Sequence, residues 1–97
     1  MEIFNFERKT SVEISRLLAG RIRAVRRRRR ISQQRLSEAS GVSLGSLKRF
    51  EQTGEVALLS LIKIAIALEI DDELLHLFEE VKPLSIEEIL YEQDQTP

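Results

Sequence analysis

The sequence contains no cysteine at any of its 97 positions. Disulfides, thiolate catalysis and cysteine-ligated zinc sites are therefore excluded, and stability must come from packing. Long apolar runs are also absent. The longest apolar tract, residues 57–70, is interrupted by Ser60, Lys63 and Glu69 and is shorter than the roughly 20 residues that a membrane span needs. We expect a core helix in this tract and no membrane partner.

Catalytic and metal-binding constellations are missing as well. The single histidine, His76, has neither a nucleophile nor further ligands at a suitable spacing. The carboxylate pairs Glu79–Glu80 and Glu87–Glu88 fit solvated helix faces better than acid/base pairs. No glycine-rich loop for phosphate binding occurs. We therefore expect no catalytic residue, no metal site and no cofactor, and we predict that the protein is not an enzyme.

The length and the hydrophobic content of 42% predict one globular domain with at most a short appendage. The first residues, MEIFNFERK, lack the basic start and the following apolar block of a secretory signal. We therefore expect a cytoplasmic protein.

Charge is distributed very unevenly along the chain, although the net charge is only −1. Residues 1–49 carry 13 Lys and Arg against 4 Asp and Glu, whereas residues 50–97 carry 2 against 12. A surface that meets a polyanion would explain this split, and so would attraction between the two halves within one fold. Five consecutive arginines, residues 26–30, lie in the basic half.

Apolar spacing and capping signals predict an all-α fold of five helices. The first helix is predicted over residues 11–29, because Thr10 and Glu13 have capping-box spacing and apolar residues then recur every three or four positions. Ser32 and Ser43 are suitable N-caps for two short helices over residues 33–40 and 44–52, and Gly41 ends the first of these. Such a short connection forces a steep crossing, which is typical of a helix-turn-helix. The apolar stripe of the first helix consists of Ile14, Leu18, Ile22 and Val25.

Two more helices and a tail complete the predicted organisation. The fourth helix covers residues 57–68, and the fifth begins at Asp71 or Asp72, runs through Leu77 and Phe78, and stops before Pro83. A capping-box spacing at residues 85 and 88 then predicts a short helix over residues 85–92. The predicted organisation is an N-terminal extension (1–10), a helical domain (11–82) and an acidic C-terminal tail (83–97), which is helical or flexible.

Three segments of the chain, GRIRAVRRRRRISQQRLSEASGVS, LGSLKRFEQTGE and LLSLIKIAIALEI, resemble the Cro/C1-type (XRE) family of helix-turn-helix transcriptional regulators. The features that carry the resemblance are the Ser-Gln start of the second helix, the Gly41 turn, the Glu51-x-x-Gly54 end of the third helix and the I-x-x-A-x-A-L pattern of the fourth. The resemblance implies a five-helix phage-repressor-like fold. It also implies sequence-specific binding of double-stranded DNA, most simply by a repressor homodimer whose third helix reads the major groove.

The same resemblance implies roles for individual residues. Arg26 and Glu51 match a structural ion pair between the first helix and the end of the third. Gln33 and Ser43 match phosphate contacts at the starts of the second and third helices, where backbone amides also favour anions.

Base reading is expected from the face of the third helix that lies opposite Leu47 and Phe50. The expected base contacts are Leu44, Gly45, Lys48 and Arg49, and Arg49 is the best suited to guanine. Projection of the first helix places Arg23, Arg27 and Arg30 in one sector, and we expect phosphate contacts from Arg23 and Arg27. Arg29 lies along the apolar stripe, so it must extend to solvent or pair with an acidic residue of the C-terminal half.

Two positions and one loop depart from the family pattern. Arg30 stands where a glycine commonly closes the first helix, so this helix is expected to end without a left-handed cap or to overrun slightly. Glu69 also replaces a common glycine after the fourth helix. The loop over residues 53–56, TGEV, lacks the basic side chains that are often offered to phosphates, and only its backbone amides could serve instead.

An alternative interpretation is an antitoxin-like protein, similar to the antitoxins paired with HipA-like kinases. Its acidic tail would bind a toxin or another partner protein, while the helix-turn-helix would regulate its own operon. A solvated or self-docked tail is the simpler alternative. Homodimer contacts could come from the broad apolar arc of the fourth helix or from Leu77, Phe78 and Val81, which could equally close the core.

Overall fold

A computed structural model describes residues 8–80 and 86–95 of the chain. Within these two ranges all regular secondary structure is helical and there is no strand, which confirms the predicted all-α class. The helices are α1 (Ser11–Arg28), α2 (Gln33–Ser40), α3 (Leu44–Thr53), α4 (Leu58–Ala67), α5 (Asp71–Leu75) and α6 (Ile86–Gln95). The bounds of α1 to α4 agree with the predicted bounds to within one residue at each end.

Side-chain caps explain where the first three helices begin. Thr10 Oγ1 accepts a hydrogen bond from the Glu13 amide at 3.1 Å, and Glu13 Oε2 accepts one from the Thr10 amide at 3.1 Å, which completes the predicted capping box of α1. Ser32 caps α2 through the Arg35 amide at 3.0 Å. Each cap satisfies a backbone amide that the helix itself leaves without a partner.

The connection between α2 and α3 is a turn of three residues, 41–43. Gly41 adopts a left-handed φ of 75° and its amide donates to the Ser37 carbonyl at 3.0 Å. Ser37 Oγ in turn donates to the Val42 carbonyl at 2.6 Å, and the Val42 side chain is buried. The turn is therefore held from both sides, and it places α3 directly against α2.

Helix α1 is followed by a left-handed residue, so the prediction of an end without such a cap is wrong, and α4 is closed in the same way. Arg30 has a φ of 57° and Glu69 has a φ of 59°. The following amides close each end, because Ile31 donates to the Arg26 carbonyl at 3.2 Å and Ile70 to the Ala65 carbonyl at 2.9 Å. These bonds and the packing of the next residue offset a conformational cost of roughly 1–2 kcal/mol for each side chain.

The core lies where α1, α2, α3 and α4 meet. Leu47 and Phe50 are buried on the inner face of α3, as predicted. The predicted stripe of α1 is only partly correct, because Ile22 and Val25 are half-buried while Ile14 and Leu18 are exposed by more than 40%. The other buried core residues are Ala19, Leu36, Val42, Ile64 and Leu68.

A close approach between α1 and the end of α3 explains why the buried face of α1 is shifted. A Cβ atom added to Gly54 would lie 2.6 Å from Ser15 Oγ and 2.7 Å from the Ser15 carbonyl carbon. Only small residues fit at this crossing, so Ser15 and Ala19 face α3 instead of the larger Ile14 and Leu18. Gly54 also has a left-handed φ of 83°, so two independent constraints require glycine there.

The predicted fifth helix is too long. Helix α5 ends at Leu75, and Phe78 has a left-handed φ of 60° with a side chain that is 87% exposed. Leu77 is also exposed, so neither residue closes the core. A helix of five residues with only Leu74 half-buried on its apolar side has too little packing to continue. The predicted contacts of Val81, the stop at Pro83, the Ser85 cap and most of the 1–10 extension lie outside the described residues.

The acidic tail carries the sixth helix, α6, over Ile86–Gln95, where the sequence predicts a short helix over residues 85–92. Ile86, Leu90 and Tyr91 are exposed along it. Among the described residues, no helix is long and apolar enough to cross a membrane.

Candidate functional site

One buried carboxylate, that of Glu51 at the end of α3, ties α1 and α3 together. Arg26 Nε donates to Glu51 Oε2 at 2.7 Å and Arg26 Nη2 donates to Oε1 at 2.9 Å, a two-pronged contact. The third nitrogen, Nη1, donates to the Ile31 carbonyl at 2.9 Å. The side chains of Arg26 and Glu51 are only 10% and 2% exposed. The structure thus brings together the two residues that the resemblance pairs.

Two residues that were expected to contact phosphates also lie against Glu51. Gln33 Nε2, at the start of α2, donates to Glu51 Oε1 at 3.0 Å, and Arg23 Nε lies 3.7 Å from the same oxygen. Burial alone would raise the pKa of Glu51, but hydrogen bonds from Arg26 and Gln33 and the positive charges of Arg26 and Arg23 lower it below its usual value. Glu51 is therefore ionised at neutral pH and connects α1, α2 and α3.

The outward face of α3 presents the side chains that the sequence predicts for base contacts. Gly45, Lys48 and Arg49 are exposed and Leu44 is half-buried, whereas Leu47 and Phe50 point the other way into the core. A Cβ atom added to Gly45 would meet nothing within 4 Å. The protein's own packing therefore does not require glycine at this position, and its absence of a side chain leaves room for a ligand to approach the helix.

The start of α3 adjoins this face. Ser43 Oγ accepts from the Ser46 amide at 3.1 Å and donates to Ser46 Oγ at 2.8 Å, so the hydroxyl serves first as the helix cap. Ser43 itself is exposed. Backbone amides and the positive end of the helix dipole make such a helix start favourable for an anion.

The five-arginine run, residues 26–30, is divided among different environments. Arg26 is buried on Glu51, and Arg29 Nη1 lies 3.4 Å from Glu69 Oε2, a pairing with the C-terminal half as predicted. Arg27 and Arg30 are exposed. Arg28 lies on another side of α1, where it borders an open groove. The other residues lining this groove are Arg21, Ala24, Val25, Arg29 and Ile70.

Arg49 makes a contact that the sequence gives no means of finding. Its Nη2 donates to Glu55 Oε2 across the end of α3, and both side chains are mostly exposed. Six positions separate the two residues, a spacing that does not place side chains together on a continuous helix. They meet only because Gly54 turns the chain back at a left-handed φ.

Among the described residues, no group of three or more His, Asp or Glu side chains is placed to hold a metal ion. The exposed face of α3 suits the recognition of a ligand, because a packed helix presents the charged side chains of Lys48 and Arg49 there together with the open backbone at Gly45. Comparison of the chain with protein-family models, with curated proteins and with solved structures gives no match.

Proposed function

We propose that the protein is a sequence-specific DNA-binding transcriptional regulator of the Cro/C1 type, with α3 as its recognition helix. The observation that carries the proposal is the two-sided character of α3. Its inner face is fixed in the core through Leu47 and Phe50, and its outer face presents Gly45, Lys48 and Arg49 to solvent. A helix so held, preceded by a three-residue turn, fits the major groove with its base-reading side chains already in place.

Charge supports the same partner. The basic half of the chain contains α1, α2 and most of α3, and Arg27 and Arg30 are exposed at the end of α1. In this proposal these two guanidinium groups contact phosphates, together with Ser43 at the start of α3. Arg23 and Gln33 also contact phosphates in this proposal, and their contacts with Glu51 fix their positions.

A homodimer would place two copies of α3 in successive major grooves, about 34 Å apart on a pseudo-palindromic site. Helix α4 offers a surface for the second copy. Leu58, Leu59 and Ile66 lie within about 100° of one another around this helix and are all more than half exposed. An apolar face of this kind supports association, and a dimer bound across a promoter would act as a repressor.

A second function is favoured by α6. Ile86, Leu90 and Tyr91 are exposed on a helix of an acidic tail, which suits the docking of another protein. The protein would then be an antitoxin-like regulator that holds a partner through this helix. Deletion of residues 83–97 should abolish co-purification of a stable partner from the native host while DNA binding is retained; retention of the partner would contradict the role of α6.

DNA affinity measured over a range of salt concentrations tests the main proposal. Arg49→Ala should weaken binding to the preferred duplex by about 1–3 kcal/mol and leave binding to unrelated duplexes nearly unchanged. Arg27→Ala should weaken binding to all duplexes alike and reduce the salt dependence by about one released counterion. Substitution of Arg27 tests a phosphate contact better than substitution of Gln33, because Gln33 also hydrogen-bonds Glu51 and its loss would affect the fold. Equal effects of Arg49→Ala on all duplexes would contradict base reading.

A further inference from the structure

Glu55 is an unexpected residue for the surface on which it lies. It follows α3 directly after Gly54, in the loop that leads to α4, and its side chain is 63% exposed beside Arg49. If α3 enters the major groove, a carboxylate at this position adds like-charge repulsion against the phosphates. The pairing with Arg49 gives this carboxylate a role.

The loop places the Glu55 carboxylate against Arg49 by more than the ion pair alone. Thr53 Oγ1 donates to the Arg49 carbonyl at 2.7 Å and accepts from the Glu55 amide at 3.1 Å. The Gly54 amide donates to the Phe50 carbonyl at 2.8 Å, and Gly54 is packed against Ser15 of α1. The two residues are therefore connected through both backbone and side chain, in a loop that has little room to move.

Stability does not explain the pair. An ion pair between side chains this exposed contributes only about 0.2–1 kcal/mol. Its effect on recognition is larger in principle, because a guanidinium has five N–H donors and Glu55 occupies a donor on Nη2 only. The remaining donors can still reach the neutral O6 and N7 acceptors of a guanine, whereas a phosphate brought to the same guanidinium meets the charge of Glu55.

We propose that Glu55 is a specificity-determining positioning residue, which orients Arg49 toward a base edge and disfavours the binding of Arg49 to phosphates. The inference rests on the proposed DNA-binding function and adds to it a residue that contacts no base. Loss of the Glu55 charge leaves Arg49 free to bind any phosphate within reach, so it strengthens binding to DNA of arbitrary sequence.

A double-mutant cycle tests this role. The affinities of the wild type, Glu55→Gln, Arg49→Ala and the double variant are measured for the preferred duplex and for a scrambled duplex at several salt concentrations. Glu55→Gln should bind the scrambled duplex about fivefold to tenfold more tightly, with a salt slope steeper by about 0.9 for one additional phosphate contact. The ratio of preferred to scrambled affinity should fall by a similar factor. In the Arg49→Ala background the same substitution should change either affinity by less than about twofold.

Glu69→Gln is the matched control, because it removes one negative charge from another exposed Arg–Glu pair, that with Arg29. It should leave the affinity ratio unchanged. Thermal unfolding of each variant close to that of the wild type shows that the loop still folds.

The outcomes separate the two proposals. A wild type that binds no duplex preferentially would overturn the DNA-binding function, and the role of Glu55 with it. A wild type with a preferred duplex, but a Glu55→Gln variant with an unchanged ratio, would overturn only the role of Glu55. An equal effect of Glu55→Gln with and without Arg49 would also overturn it, since the charge would then act through the general field of the protein.

Discussion

Helix α3 contributes one residue to each of two arginine–glutamate pairs, Glu51 to a buried pair and Arg49 to an exposed one, and the two pairs should differ in their effect on the free energy of unfolding. Glu51 is 2% exposed and bonds Arg26, whereas Glu55 is 63% exposed and bonds Arg49. We predict that Glu51→Ala destabilises the protein far more than Glu55→Ala. Each substitution removes one glutamate side chain, either within the last turn of α3 or just after its C-terminal cap, so the difference between them mainly reflects burial and the partners of Glu51.

The expected magnitude follows from what each substitution leaves behind. Without Glu51, the Arg26 guanidinium stays buried with only the Ile31 carbonyl as a partner, and an uncompensated buried charge of this kind costs about 3–5 kcal/mol. Loss of the exposed Glu55 costs about 0.2–1 kcal/mol. A domain of this size unfolds with a free energy of roughly 5–15 kcal/mol, so the first substitution removes a large part of the total.

Urea unfolding at neutral pH, followed by circular dichroism at 222 nm, gives the free energies. Glu51→Ala should also lower the thermal midpoint by more than about 12 °C, at about 4–8 °C per kcal/mol. The double variant Arg26→Met with Glu51→Leu should recover most of the loss, because it leaves no buried charge. If Glu51→Ala and Glu55→Ala cost the same, the buried cluster does not hold α1 against α3 and the reasoning fails.

Three further results are expected. The free energy of unfolding should decrease as the pH falls below about 4.5, the ordinary pKa of Glu51. The lowered pKa of Glu51 in the folded protein gives a stabilisation that is present above this pH and lost as the pH falls through the folded-state pKa. The same acid dependence of the urea midpoint in Glu51→Ala would contradict this. Gly54→Ala should cost clearly more than Gly41→Ala, for which about 1 kcal/mol is expected, since both have a positive φ but only Gly54 meets Ser15; equal urea midpoints would contradict the close crossing. Arg30→Gly should raise the free energy of unfolding by up to about 1 kcal/mol, because glycine adopts the left-handed φ without strain. A lower free energy of unfolding would show that the arginine side chain contributes more than its conformation costs.

The helices with strong local signals could be predicted from the sequence. Thr10, Ser32 and Ser43 fix the starts of α1, α2 and α3 through bonds to amides three positions along, and Gly41 ends α2 in the expected way. These interactions lie within a few residues of one another, so the order of residue types is enough to identify them.

Features that depend on contacts across the fold could not be predicted in this way. Arg30 and Glu69 take a conformation that favours glycine, because the residues after them pack and bond back onto the helix ends. Helix α5 ends early where Leu77 and Phe78, which the apolar pattern alone counts as core, are mostly exposed. Ile14 and Leu18 are exposed for a related reason, since the crossing at Gly54 admits only small side chains.

The candidate site also combines features that local sequence predicts with contacts that only the fold reveals. The exposed face of α3 follows from helix periodicity, once Leu47 and Phe50 are assigned to the core. The hydrogen bond from Gln33 to Glu51 and the pairing of Arg49 with Glu55 join residues 18 and six positions apart, at spacings that no local pattern encodes. Both contacts change what these side chains can do, since Gln33 acquires a structural role and Arg49 acquires an acidic neighbour.

Selection of duplexes from a random library by the wild type and by Arg49→Ala, under identical conditions, tests base reading by α3 most directly. We predict that the wild type enriches a motif with two half-sites whose centres lie about one helical turn apart. The Arg49→Ala variant should enrich the same spacing with the preference lost at one base pair in each half-site. No enriched motif for the wild type, or identical motifs for the two proteins, would contradict the assignment of α3 as a recognition helix read through Arg49.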